Sequence, residues 1–379
     1  MISAIRPERF PWFDYSRYTF SLGLDLGDAA VLSGHSASEY DPNSRRIVVK
    51  GGLAEQTRTA YAKIEAILMA AGLGLGDVVR VVEYVTARGI DEYSQVEHVR
   101  RETLGGARPA VNTVCVNRLL RPEALIELEV VAAKGPAGRA TAVDGIVYCA
   151  SQLPLDDAGR VVAEGDLVAQ TRAVYERAGR ALRAAGLTWD RVTKTIDYIV
   201  PAGLRAYRET GQVRREHLGP VYPAAAGIVM ERLAHPGALI QLDLIASRHP
   251  PVAVDPGWER YRKLTYSPAV RAGNVLFMSG QAALDPATER AVAAGDVVAQ
   301  AEYTYTNILT VLRAAGVGPE SLVETVEYVT PDGLDRYRET AAVRSKLLKE
   351  PYPASTGVVC DRLLRPEFQI EVDPLAIVA

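Results

Sequence analysis

Between Val297 and Leu312 the apolar side chains Val297, Ala301, Tyr305, Ile308, Leu309 and Leu312 recur at three- and four-residue steps, with Gln300 on the same stripe. That period predicts an amphipathic helix with one buried face. Ala315-Gly316 follows, and a glycine there is free to take the positive φ that ends a helix. Near the end of the chain the rhythm changes to two. Ile370 and Val372 point one way, and Glu371 and Asp373 the other, which predicts a strand whose second face needs water, a partner or a cleft. Both rhythms occur twice more upstream. Helical stretches begin near Gln56 and Gln170 and stop at Ala71-Gly72 and Ala185-Gly186. A hairpin region ending at Ser33, Ala150 or Ser279 precedes each helix; a strand such as Val326–Val329, a second helix and a final strand pair follow.

The recurrence extends to spelling: RPAVNTVCVNRLLRPEALIELEV from Arg108, YPAAAGIVMERLAHPGALIQLDL from Tyr222 and YPASTGVVCDRLLRPEFQIEVDP from Tyr352. Upstream of these passages, Gln56, Gln170 and Gln300, then Glu83, Asp197 and Glu327, keep the same register, as do Arg118, Arg232 and Arg362 within them. A match sustained over that length means one fold unit written three times. The expected units are 1–133, 134–247 and 262–379. The Pro-rich stretch 248–261 is expected to run extended over the surface as a linker.

Composition describes an ordinary soluble globular protein: 48% hydrophobic, 23% charged and a net charge of −3 over 379 residues. With Lys+Arg 43 against Asp+Glu 46 there is no global attraction for a phosphate backbone, so a nucleic-acid partner is not expected. No apolar run reaches the ~18 residues of a membrane span and MISAIRPERFPWFDY lacks a signal-peptide core, so a cytoplasmic location is expected. Cys115, Cys149 and Cys360 sit in apolar strand patterns without metal-ligand spacing and are expected to be buried and structural. Neither a metal nor a cofactor is expected.

The third copy carries a recognisable wording: Tyr266-Ser267-Pro268-Ala269-Val270, Gly273-Asn274-Val275-Leu276-Phe277-Met278-Ser279-Gly280-Gln281, Gly295-Asp296, Gln300, Asn307-Ile308-Leu309 and Ala314-Ala315-Gly316, closing on Tyr352-Pro353-Ala354 and Ile370-Glu371-Val372. These motifs closely resemble the RidA/YjgF superfamily, and the shared register carries the likeness to the other two copies. The resemblance implies an α+β, chorismate-mutase-like unit, a mixed sheet backed by two helices, that assembles in threes with ligand clefts between neighbours. Three units on one chain are then expected to close into an intramolecular pseudo-trimer. Such a ring is monomeric as a chain, and its dimerisation stays open.

The family's best-known activity is hydrolysis of enamines and imines derived from amino acids. An arginine directly after Pro-Ala binds the substrate carboxylate, and a glutamate on the last strand positions water. The arginine position holds Val111, Ala225 and Ser355 here. Losing a charge-assisted pair of that kind removes on the order of 2–5 kcal/mol, which argues against the housekeeping deaminase. The strand glutamate corresponds to Glu127 and Glu371 but to Gln241 in the second copy. The Ser-Gly-Gln turn becomes Ser33-Gly34-His35, Ala150-Ser151-Gln152 and Ser279-Gly280-Gln281, and the leading aromatic becomes Phe20, Ala137 and Tyr266. The second copy therefore reads as scaffold.

Two candidate constellations follow. One joins Glu127, Ser33 and His35, where a histidine beside a carboxylate could shuttle a proton, although His35 could equally be a solvent-facing turn residue. The other joins Glu371, Ser279 and Tyr266, with Ser355 offering a hydroxyl in place of the arginine. Glu83 and Glu327, with Asp197, precede strand tyrosines: if the tyrosines face the helices, the acids face the inter-repeat side, as pocket groups or as structural partners. Arg118 and Arg362 are candidate binding residues whose uniform recurrence, shared with Arg232, argues more for packing. The expected function is cofactor-free acid–base chemistry on a small imine, enamine or carbonyl compound in a specialised pathway. The alternative is a non-catalytic small-molecule-binding or regulatory protein.

Overall fold

The computed structural model describes residues 2–134 and 145–378. The chain is α+β, with three sheets each backed by helices. The position of Ala137 lies outside the described residues.

The three long helices are Leu53–Ala70, Leu167–Ala184 and Val297–Ala314. Along the third, Val297, Ala301, Tyr305, Ile308 and Leu312 are buried as the period predicts. Asp166 and Asp296 cap the second and third helices by accepting from first-turn amides, and Gly72, Gly186 and Gly316 end all three at φ +70°, +71° and +80°. The recurring glutamine on each helix is a clamp. The Gln300 amide donates to Glu367 O at 2.7 Å and accepts from Gln369 N at 2.7 Å. Gln56 and Gln170 hold the matching loops at Leu125 and Leu239. Each clamp fixes the start of the last strand, the strand that carries the candidate glutamate.

In the first repeat the hairpin Gly23–Asp25 and Ala29–Leu32 leads to the last strand Ile126–Ala133, which lies against Val78–Thr86, itself parallel to Ala110–Val116. The third repeat repeats this order with Ala269–Ala272, Val275–Met278, Ile370–Ile377, Leu322–Val329 and Ala354–Val359. In the second repeat Ile146–Gln152, Ile240–Ser247, Val192–Ile199 and Ala224–Val229 follow the same path. Two sheets also borrow a strand: Arg362–Leu363 pairs with Ile228 and Val229, and Arg118–Leu119 pairs with Val358 and Val359. Arg118 and Arg362 therefore serve inter-repeat strand pairing.

One buried cluster draws on all three repeats, with Tyr84, Tyr198 and Tyr328 at its centre. The Tyr198 and Tyr328 hydroxyls meet at 2.7 Å. The tyrosines thus face the inter-repeat core, and the acids before them face the helices, the reverse of the conditional expectation. Glu327 accepts from Tyr305, Tyr337 and Arg344, Glu83 from Tyr93 and Arg100, and Asp197 from Tyr207 and Arg214. A buried acid can point into a helical layer when that layer brings its own donors.

Around the same centre lies a belt of buried charge that breaks the repeat symmetry. Equivalent positions hold Arg80, Lys194 and Glu324, which line a cavity of about 40 Å³ together with Glu129 and Asp373; Asp243, the matching acid of the second repeat, feels the charge of Arg80. Arg80 lies 3.8 Å from Glu129, and Lys194 bonds Asp373 and the Met278 carbonyl. Burial, then the neighbouring Glu129, holds the Glu324 carboxyl well above the usual range.

Candidate active site at the seams between repeats

Each repeat meets the other two, giving three seams. At the 2–3 seam, Ser279 Oγ donates to Ser267 O at 2.6 Å and accepts from Ala225 N at 2.8 Å, while Gly280 N donates to Ala225 O at 3.0 Å. At the 3–1 seam, Ser33 Oγ donates to Ser21 O at 2.5 Å and accepts from Ser355 N at 2.8 Å, and Gly34 N donates to Thr356 Oγ1 at 2.9 Å. Ser33 and Ser279 are therefore buried latches between repeats, and each has its one hydroxyl proton committed to a backbone carbonyl, so neither donates to a substrate in this arrangement. The latches also settle which repeats meet: Ser355 shares a seam with Glu127, whereas Glu371 has Ala225 and Ala226 opposite.

The glycine after each latch lies against the candidate glutamate. A Cβ on Gly280 would fall on the Glu371 carboxylate, and one on Gly34 would fall on that of Glu127. Glycine leaves each carboxylate its present place, and any side chain there would push the acid aside. The second repeat shows the alternative. Ser151 replaces the glycine and Gln241 the glutamate; the Gln241 amide donates to Ser151 Oγ at 3.0 Å and to Thr113 O of the first repeat at 3.0 Å, and Ser151 Oγ donates to Asp243 at 2.5 Å. The 1–2 seam is thus bridged by a side-chain network that runs from Thr113 through Gln241 and Ser151 to Asp243.

The 2–3 seam contains a cavity of about 210 Å³. Glu371 lines it with Gln281, Tyr266, Tyr207 and Arg214. Glu371 is 8% exposed, and among the described residues no protein group donates to its carboxylate. Burial pushes its pKa up to about 8, with Asp373 adding to the rise and Lys194 opposing it. Glu127 at the 3–1 seam is pushed up to about 8 as well, by burial and then Glu129, against the pull of Lys63. The Lys63 ammonium lies 5.3 Å from the Phe13 ring centre, bonds the Ser36 and Ser38 carbonyls, and is brought down by burial to about 7.

His35 does not join Glu127. It pairs across the sheet with Leu128, while Ser36 pairs with Glu127, so the imidazole and the carboxylate point to opposite faces. The ring is 3% exposed, its Nε2 lies 3.1 Å from Leu22 O, and burial lowers its pKa to about 3. It is a neutral core histidine, neither a shuttle nor a solvent-facing turn residue. Glu83 and Glu327 are fully buried with their donors and do not line the Glu371 cavity; nor do Arg118 and Arg362. Asp197 reaches that cavity with its partners Tyr207 and Arg214. The three cysteines are buried, and burial raises the Cys115 and Cys149 thiols to about 12 and 11. Among the described residues no cluster of His, Cys, Asp or Glu is placed to hold a metal ion, and no helix is long and apolar enough to cross a membrane.

Some cavity residues carry a signal that the sequence reading passed over. Trp258-Glu259-Arg260-Tyr261 through Thr265-Tyr266-Ser267 aligns without a gap with Trp12-Phe13-Asp14-Tyr15 through Thr19-Phe20-Ser21. Part of the stretch expected to be a linker is thus a repeated arm. Its Val252–Val254 is an extended edge strand on Ala269–Ala272, and its Trp258, Arg260 and Tyr261 line the cavity.

Three sheets of one design that share seams with glutamates at two of them define an α+β protein of fused, cleft-forming units. The family model described as Endoribonuclease L-PSP matches residues 15–134, 135–248 and 261–378, and the chain belongs to that family, the RidA/YjgF/RutC group. A RutC family protein of Pyrococcus horikoshii is 38% identical over 115 residues, 30% of this chain and 86% of the relative. Protein DfrA of Myxococcus xanthus is 36% identical over 114 residues, 30% of this chain and 84% of the relative. Among solved structures, RidA from an Antarctic Psychrobacter is 31% identical, covers 30% of this chain and 89% of its own, and has a TM-score of 0.28.

Proposed function

We propose that the chain is a cofactor-free enzyme that uses Glu371, and by analogy Glu127, as a general acid–base on a small imine, enamine or related carbonyl compound. The observation that carries this reading is the Glu371 carboxyl, set in a cavity without a protein donor and with a pKa raised to about 8. A carboxyl in that state is protonated at neutral pH and close to the poise that favours proton transfer. It gives its proton to the imine nitrogen or enamine carbon. The resulting carboxylate then takes a proton from the water that adds to the electrophilic carbon, and collapse of that adduct releases amine and carbonyl product. With Ser33 and Ser279 committed to latches, the proposed reaction depends on the acid and on the polar cavity wall, where Gln281 and Tyr266 face the same space.

The missing arginine after Pro-Ala supports a substrate other than that of the amino-acid enamine deaminases. A specialised role in the cytoplasm fits the composition, and the self-contained ring predicts a single-chain mass of 41.0 kDa in solution. The test is turnover of candidate imines by Glu371→Gln, Glu127→Gln and the double variant. Undiminished turnover in the double variant overturns the reading. A second reading, a non-catalytic binding protein, is favoured by the absence of that arginine at all three seams. Saturable binding to the 2–3 seam without turnover of any bound imine would support it.

A further inference from the structure

The arm before the third repeat brings the Arg260 guanidinium to the Glu371 cavity. Trp258 and Arg260 lie just outside the matched family segment 261–378. The arm is pinned by the pairing of Val252, Ala253 and Val254 with Arg271, Val270 and Ala269. It then turns through Glu259–Lys263. Trp258 stacks on Tyr261 at 5.9 Å, Tyr261 meets Tyr266 edge-on at 5.5 Å, and the Arg260 guanidinium lies over the Tyr261 ring at 4.9 Å. The stack fixes the plane of the guanidinium and leaves its Nε–H buried without an acceptor. A buried donor left unpaired costs free energy, and an arginine held flat presents a fork matched to a carboxylate.

Two other arginines line the cavity and each has a partner: Arg214 is bound by Asp197, and Arg365 donates to the Glu289 carbonyl at 2.7 Å. The first repeat's arm has Asp14 where the third has Arg260, and that carboxylate faces solvent and accepts from Ser16 N at 2.9 Å. The 2–3 and 3–1 seams thus differ in the sign of the residue at one arm position.

We propose that Arg260 is the specificity residue of the 2–3 seam, binding the carboxylate of a small planar ligand whose flat body lies against Tyr261 and Tyr266 and whose other end reaches Glu371. The assignment rests on the reading of this seam as the ligand site. It moves the anion-binding guanidinium from the strand position, here Ala225, to the arm. Protonated at neutral pH, Glu371 does not repel such an anion.

The test is calorimetric titration of the full-length protein at pH 7 with benzoate and with benzamide, its uncharged counterpart of the same shape. Wild type is expected to prefer benzoate about tenfold or more. Arg260→Met is expected to bring benzoate down to the benzamide level, with Arg260→Lys between. Equal affinities in wild type, including no binding of either, overturn the proposal, as does an undiminished benzoate preference in Arg260→Met. Should Arg260→Met fail to fold, the wild-type comparison and Arg260→Lys decide. Glu371→Gln is expected to keep the benzoate preference, so an error about catalysis shows in turnover and an error about Arg260 shows in the titration.

Discussion

The 1–2 and 2–3 seams are built from equivalent strands, yet one is bridged by its own side chains and the other holds a cavity. Two substitutions make the difference. In the second repeat Ser151 occupies the place of Gly280 and Gln241 that of Glu371, and each accommodates the other: the serine fills the room next to the amide, and the amide donates to the serine and across the seam to Thr113. At the 2–3 seam the Glu371 carboxylate itself lies where a Cβ on Gly280 would fall, and among the described residues no protein group donates to it. A seam either spends its polar group on the neighbouring repeat or keeps it for a ligand. Fusing three units on one chain allows both choices in one molecule.

The largest expected effect comes from removing the acid. Glu371→Gln should lower kcat at the 2–3 seam by about 10²-fold or more, whereas Gln241→Glu should add no turnover, because Ser151 still fills the space. Next, Gly280→Ser copies the bridged seam onto the one with the cavity; loss of ligand binding by calorimetry with the fold retained by circular dichroism is expected. Unchanged binding would show that the glycine does not hold the cavity open.

A third test uses pH. If catalysis needs the protonated Glu371 carboxyl, the rate should fall as pH rises through about 8. The stability effect has the same sign. A carboxyl raised above its unfolded value of 4.5 favours the native state below that pH, and the contribution is lost as pH climbs toward about 8. Melting temperature should therefore decline less over that window in Glu371→Gln than in wild type. The smallest effect is expected for Glu324→Gln. Because burial and Glu129 disfavour the ionised Glu324 carboxyl, its amide replacement should leave activity unchanged and raise the melting temperature slightly at alkaline pH.

Much of this architecture was legible in the chain. The helices followed from the period of Val297, Ala301, Tyr305 and Ile308 with a glycine stop, and the outward face of Glu371 from its alternation with Ile370 and Val372. Those are local signals. What stayed hidden depends on partners from distant segments. Strand alternation places Glu327 and Tyr328 on opposite faces but cannot tell which face is which, and the helical layer decided it by supplying Tyr305, Tyr337 and Arg344. The serines resembled site hydroxyls until Ala225 N and Ser355 N were found against them. His35 looked like a neighbour of Glu127, but a one-residue step along the strand turns it to the other face. The arm was taken for a linker because its prolines mask an aromatic pattern that repeats Trp12 to Ser21.

The uneven belt at the centre makes the order of the units a constraint. Three copies of the third repeat alone would gather three Glu324 and three Asp373 side chains without a single cation from those positions, while in the intact chain Lys194 of the second repeat reaches Asp373 and Arg80 of the first lies beside Glu129. Released from its siblings, the third repeat would lose the Lys194 partner of Asp373, and its copies would have to protonate or repel one another's acids at the centre.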